Sequence, residues 1–284
     1  MKRSIRSAMA VAALAVSAVA VAFGPATPAL ADPAGLVVEG ETSVSNSSDK
    51  TIKANCPSGK VVTGGGGYLT LSQSAEAYVG LDRLEPAADG SGFTATMREA
   101  KPYANNWMVT ALALCAPAPA GWQVLSNTGA NLQEYVTTPS CGAGKNVIGL
   151  GGRINGGSGD VILDDVTPSF DLKTVTVRGV AVPGGVDVTW TVTAFAVCAN
   201  TPPGLERVAL VGAYHSDPED VKIKSCPVGK ALYGVGAAIG AANGHVLLNG
   251  VNITPIGTVR TWAHEINGGA PGTWNLTAYG ICGS

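Results

Sequence analysis

The stretch WMVTALALC, Trp107 to Cys115, returns as WTVTAFAVC, Trp190 to Cys198, and as WNLTAYGIC, Trp274 to Cys282. Alternate residues of a strand share a face, so the first copy puts Trp107, Val109, Ala111, Ala113 and Cys115 together. A large ring, a row of small residues and a cysteine make a core face. The other face, Thr110, Leu112 and Leu114, is mostly apolar too. A strand apolar on both faces is central and covered on both sides. Either each copy closes on itself and is capped, or the copies pack on one another.

Working outward, each line is the end of a longer repeat. A copy opens on a strand-like segment at Gly35, Gly121 or Gly204, and some twenty residues later reaches a first cysteine, in CPSGKVVTGGGG (Cys56), CGAGKNVIGLGG (Cys141) or CPVGKALYGVGA (Cys226). It continues through VGLDRLEP, VILDDVTP or VLLNGVNITP and closes on the Trp-to-Cys line. The first cysteines are spaced 85 residues apart both times, and the second at 83 and 84. Pro-containing joints, CAPAPAG and CANTPPG, separate the copies. Modules are expected over 35–117, 121–200 and 204–284.

Ahead of them, residues 1–31 carry Lys2, Arg3 and Arg6, an apolar run from Ala8 to Phe23, and Ala29-Leu30-Ala31 before Asp32. This is the pattern of a secretory signal peptide and its cleavage site. The apolar run is broken by Gly24 and Pro25, and no other stretch is long and apolar enough for a membrane span. Of 18 Lys and Arg the leader holds three, and it holds none of the 20 Asp and Glu, so the mature chain nets −5. A mildly acidic chain without a basic stripe excludes nucleic acid as the expected partner.

Six cysteines in an exported chain, two per copy, imply one disulfide in each. Repeat symmetry selects Cys56–Cys115, Cys141–Cys198 and Cys226–Cys282 among fifteen connectivities. With 38 glycines, abundant Val, Ala and Thr, and no helical periodicity, the chain reads as all-β. The expectation is three tandem six-stranded β-sandwich-like modules with one disulfide each; the alternative is a single pseudo-threefold β-prism. Glycine in a strand is costly unless something approaches closely, and the rows Gly64/Gly66, Gly149/Gly151 and Gly234/Gly236 are expected to give the Trp indole a slot. Cys-Pro-x-Gly is expected to form a type I turn with Pro second and Gly fourth.

Reactive motifs are scarce. Gly144-Lys145 echoes a phosphate loop but lacks the following Ser or Thr, the earlier glycine and a helix. No Gly-x-Ser-x-Gly elbow accompanies the histidines, and His264-Glu265 is followed by Gly268 where a zinc ligand would stand. The acidic turn from His215 to Asp220 reads as solvated, and Asp82, Asp164 and Asn249, at corresponding places, read as strand-end polar residues. The sequence thus assigns no catalytic, cofactor or metal-binding residue. Copy-specific residues remain as candidate ligand contacts: Trp122 and Trp262, aromatic surfaces for a sugar ring, and His215, His245 and His264.

The paired motif C-P-x-G-K-x-V-x-G-x-G-G and W-x-L-T-A-Y-x-I-C resembles repeats of secreted actinobacterial proteins, and it spans the mature chain three times. Copy two departs at the proline and copy three at the last glycine. The resemblance implies export and a β-rich module, and carries over no catalytic residue. The three Cys-bearing repeats are also similar to those of vitelline membrane outer layer proteins, which form a pseudo-threefold prism. The function these readings imply is that of a secreted, extracellular, non-enzymatic binding or structural protein at the cell envelope. Its expected partners are cell-wall polysaccharide or a surface protein. The alternatives are a hydrolase with its site in module 3, and a toxin or inhibitor.

Overall fold

The computed structural model describes residues 35–284 except 71–72, 186–188 and 255–256; the leader 1–31 lies outside the described residues. Repeat 1 supplies β1 (Val37–Thr42), β2 (Lys50–Asn55), β3 (Val61–Thr70), β4 (Val79–Pro86), β5 (Gly92–Glu99) and β6 (Met108–Ala116). Repeat 2 supplies β7 (Gln123–Thr128), β8 (Tyr135–Thr137), β9 (Lys145–Gly156), β10 (Val161–Pro168), β11 (Val175–Ala181) and β12 (Trp190–Asn200). Repeat 3 supplies β13 (Glu206–Val211), β14 (Glu219–Ser225), β15 (Ala231–Gly240), β16 (Val246–Thr254), β17 (Thr258–Glu265) and β18 (Asn275–Gly283). The fold is all-β, with three six-stranded repeats and one disulfide in each.

The six strands of a repeat do not close on one another. The sheets run β1-β6-β3-β16-β17-β14, β13-β18-β15-β10-β11-β8 and β2-β5-β4-β9-β12-β7. Each repeat gives its first, sixth and third strands to one sheet and its fourth, fifth and second to another. The assembly is therefore the pseudo-threefold prism, in which every sheet is shared by two repeats. The seams are short and equivalent: Tyr68 and Gly67 pair with Gly250 and Val251, Arg153 and Gly152 with Arg83 and Leu84, and Ala238 and Ala237 with Asp165 and Val166.

The glycine rows serve this closure and not the indole. Each third strand carries a bulge, at Thr63, Ile148 and Tyr233. A Cβ on Gly149 would overlap the carbonyl oxygen of Thr63, one on Gly234 that of Ile148, and one on Gly64 that of Tyr233. The three strands thus meet backbone to backbone in a cyclic order, which a side chain would prevent. Gly66, Gly151 and Gly236 lie in the same way against the carbonyls of Val251, Leu84 and Val166. Gly80, Ile162 and Leu247, the equivalent second residues of the fourth strands, pack together as a second, separate meeting point of the three repeats.

The Trp-to-Cys strands β6, β12 and β18 are interior strands, each second from an edge of its sheet, and both their faces are covered as their apolar character requires. Val197 and Ala199, on the face of β12 opposite Cys198, cluster with Ile148 and with Tyr233 of the next repeat. Each disulfide joins a cysteine that follows a repeat's second strand, directly at Cys56 and Cys226 and four residues on at Cys141, to the sixth strand, with Cα separations of 5.6, 5.6 and 5.7 Å. Because those strands belong to different sheets, each bond staples one corner of the prism. Trp107 and Trp274 are buried at the far end of the line, their indole N–H groups donating to Glu99 Oε1 at 3.3 Å and Glu265 Oε1 at 3.0 Å.

The turn before each third strand is shifted by one residue from the expected phase. Lys60 N donates to Pro57 O and Lys230 N to Pro227 O, both at 3.1 Å, leaving Gly59 and Gly229 at positive φ in the third position. The following lysine is consumed by the fold: Lys230 Nζ donates to Gly204 O at 2.5 Å and to Glu206 Oε1 at 2.6 Å, and Lys60 Nζ donates to Gly35 O.

Candidate functional site

Where the three repeats agree, the residues build the prism; one of the places where they differ holds the candidate contact Trp262 of repeat 3 beside four charged groups. A cleft of about 130 Å³ lies where repeat 3 meets repeat 1, lined by Glu76, Glu219, Asp220, Arg260 and Trp262. β17 presents Arg260 and Trp262, β14 pairs Val221 with Trp262 across it, and Glu76 arrives from the turn ahead of β4.

Asn249 fixes that turn. It is the bulged residue of β16, fully buried, and its Nδ2 donates to Glu76 O and Val79 O, both at 2.8 Å. Asp82 and Asp164 occupy the same bulge in repeats 1 and 2 and are equally buried. A carboxylate has no proton to donate, so each draws an arginine instead: Arg98 Nε lies 3.3 Å from Asp82, and Arg178 Nη1 donates to Asp164 Oδ2 at 2.9 Å. Burial pushes the Asp82 carboxyl up to about 6 against the pull of Arg98. Burial, with the neighbouring charge of Asp165, raises that of Asp164. These three positions are therefore parts of the frame, and among the described residues no group of His, Cys, Asp and Glu could hold a metal ion.

Within the cleft, burial and the adjacent Glu219 raise the Glu76 carboxyl, opposed by His264, Arg260 and a hydrogen bond from Trp262. Asp220 behaves in the other direction: despite burial, hydrogen bonds from Lys222 and His215 hold it below the usual carboxylate range. His215 Nε2 meets Asp220 Oδ2 at 3.0 Å, its Nδ1 accepts from Asp217 N at 3.2 Å, and its ring packs on Trp274 at 4.7 Å. Both ring nitrogens are thus engaged, which removes His215 as a base for a nucleophile. The arrangement can accept hydrogen bonds from hydroxyl or ammonium groups at Glu76 and Glu219 and donate from Arg260.

Of the five candidate contacts, the structure brings three to this place. Trp262 lines it, His264 acts on Glu76 through its charge, and His215 holds Asp220. Trp262 is only 8% exposed, with Gly250 against its ring and Arg260 over it at 4.7 Å, so it offers an edge and no open face. His245 lies apart, in a hollow of about 240 Å³ with Asn243, Pro271 and Trp274. Trp122 stands at the joint of repeats 1 and 2, where its Nε1 donates to Val62 O at 2.9 Å.

Glu76 and Arg260 were not singled out by the sequence, and Glu219 and Asp220 stood there only as part of the acidic turn read as solvated. The available signal was Asn249, the one amide among three equivalent positions. No helix among the described residues is long and apolar enough to cross a membrane. No family model matches the chain, and no curated protein matches it at a significant level.

Proposed function

We propose that this chain is a secreted, non-enzymatic binding or structural protein of the cell exterior, with cell-wall polysaccharide or a surface protein as its partner. The observation that carries the reading is the division of labour between repeats: residues common to all three are consumed by the closed, disulfide-stapled frame, and residues that are not common line the cleft of Glu76, Glu219, Asp220 and Arg260. Hydroxyl-rich glycan fits that set, with Glu76 and Glu219 to accept and Arg260 to donate, Asp220 being held by His215 and Lys222. The three disulfides agree with an oxidising exterior. The hydrolase reading loses support, because the repeat-3 histidines serve Asp220 and the Glu265 carbonyl, or stand apart in the case of His245.

The test is retention of the mature protein on purified wall polysaccharide and on immobilised secreted proteins, with Glu219→Gln and Arg260→Ala beside it. Retention that falls at least tenfold in both variants and is kept in His245→Ala supports the reading. No retention on any surface, or retention indifferent to both variants, counts against it.

A further inference from the structure

Strand β14 has its polarity reversed relative to its counterpart in repeat 1. Cross-strand register makes Thr51, Ile52, Lys53 and Ala54 of β2 equivalent to Val221, Lys222, Ile223 and Lys224 of β14. In β2 the outward residues are Thr51 and Lys53, and Ile52 and Ala54 turn inward, as a guarded sheet edge requires. In β14 the lysines turn inward, and Val221 and Ile223 face solvent, 40% and 56% exposed. Repeat 2 blunts the same edge by shortness, since β8 has three residues.

β14 is also an open edge. Glu265 N bonds Pro218 O and Cys226 N bonds Gly257 O, both at 2.7 Å, which sets the phase of the ladder. Even-numbered residues of β14 bond β17, so Glu219, Val221, Ile223 and Ser225 turn their N–H and C=O groups away from the sheet. Among the described residues, no backbone bond from another element takes them.

We infer that β14 pairs antiparallel with β14 of a second copy, joining two prisms through one continuous sheet. The strand's own charge order favours this occupant: it starts acidic at Glu219 and Asp220 and ends basic at Lys222 and Lys224. A twofold axis at Lys222 sets Val221 opposite Ile223, and Asp220 opposite Lys224, which has no ion pair of its own among the described residues. The two Lys222 groups that meet on the axis are each already paired with their own Asp220. All four outward residues then exchange backbone bonds with the partner.

Sedimentation equilibrium on the mature chain, from micromolar to millimolar concentration, tests it. The wild type is expected to dimerise reversibly, and Val221→Thr/Ile223→Lys, which restores the repeat-1 edge, to weaken the dimer at least tenfold. Lys224→Glu, which sets like charges opposite each other and breaks no hydrogen bond or ion pair found among the described residues, should weaken it at little changed Tm. Should the double variant fail to fold, Lys224→Glu decides alone. A monomer at every concentration, a monomer that captures an extended peptide instead, or a dimer indifferent to these changes would overturn the inference.

Discussion

Gly149 lies against the carbonyl oxygen of Thr63, a residue of the preceding repeat, so closely that a methyl group has no room between them. The same relation joins Gly234 to Ile148 and Gly64 to Tyr233, closing a ring of three backbone contacts. Gly149→Ala should therefore cost about 3 kcal/mol or more, the range of severe overpacking, because both atoms in conflict belong to strands that cannot retreat. Gly272→Ala, where nothing lies within 4 Å of the added methyl, is the control and should change stability little. Urea unfolding of the two variants measures the contrast, and equal losses would contradict the closure argument.

The bulge acids make stability depend on pH. The Asp82 carboxyl is raised from 3.8 to about 6, so the folded state holds a proton that the unfolded chain has released. Stability from this group is complete below about pH 4 and is lost as the pH rises through about 6, a difference on the order of 3 kcal/mol at most. Asp82→Asn places there the amide that Asn249 already is in repeat 3. Its advantage over the wild type should be small at pH 4 and grow to roughly 1–3 kcal/mol by pH 7.5. Thermal unfolding across that range checks it; a constant offset at all pH values would exclude this origin.

Ala241 sits at φ 64°, a left-handed conformation, where repeat 2 has Gly156 at φ 82°. Replacing it with glycine removes the steric cost of the β-carbon, about 1–2 kcal/mol, and adds back unfolded-state entropy of about 0.5–1 kcal/mol. Ala241→Gly is expected to be neutral or to stabilise by up to about 1 kcal/mol. A clear loss of stability by urea titration would show that the methyl makes a contact worth more than its strain.

Opening one staple tests the corner role of the disulfides. Cys226→Ala/Cys282→Ala releases a loop with a sequence separation of 56 residues and should lower stability by about 4 kcal/mol in the chain-entropy account. The loss should appear in unfolding by fluorescence at every corner, since the sheets are shared. A loss confined to repeat 3, with repeats 1 and 2 unfolding as in the wild type, would contradict that coupling.

The repeat length, the six cysteines and their pairing, and the two-sided burial of the Trp-to-Cys strands were legible in the residues, because these features recur three times in register. Strand sharing was not. A repeat that closes on itself and one that trades strands with its neighbours bury the same alternation, and the two-sided apolar character of WMVTALALC fits both. The deciding contact, Gly149 on Thr63, is between repeats and leaves only a glycine in the sequence. The cleft was half legible: Trp262, His215 and His264 mark repeat 3 as different, but Glu76 comes from repeat 1 and is positioned by Asn249 across 173 residues. The reversed edge of β14 is visible in the letters once Val221-Lys222-Ile223-Lys224 is set beside Thr51-Ile52-Lys53-Ala54, a comparison that needs the register first.

Calorimetry of the chain from Asp32 onward tests the shared-sheet architecture most directly. If every sheet is built from two repeats, no repeat can unfold without taking strands from both neighbours, and the whole chain should melt in one transition with calorimetric and van't Hoff enthalpies equal. Three transitions, or a calorimetric enthalpy two- to threefold above the van't Hoff value, would mean that the repeats are independent units and that the prism account is wrong.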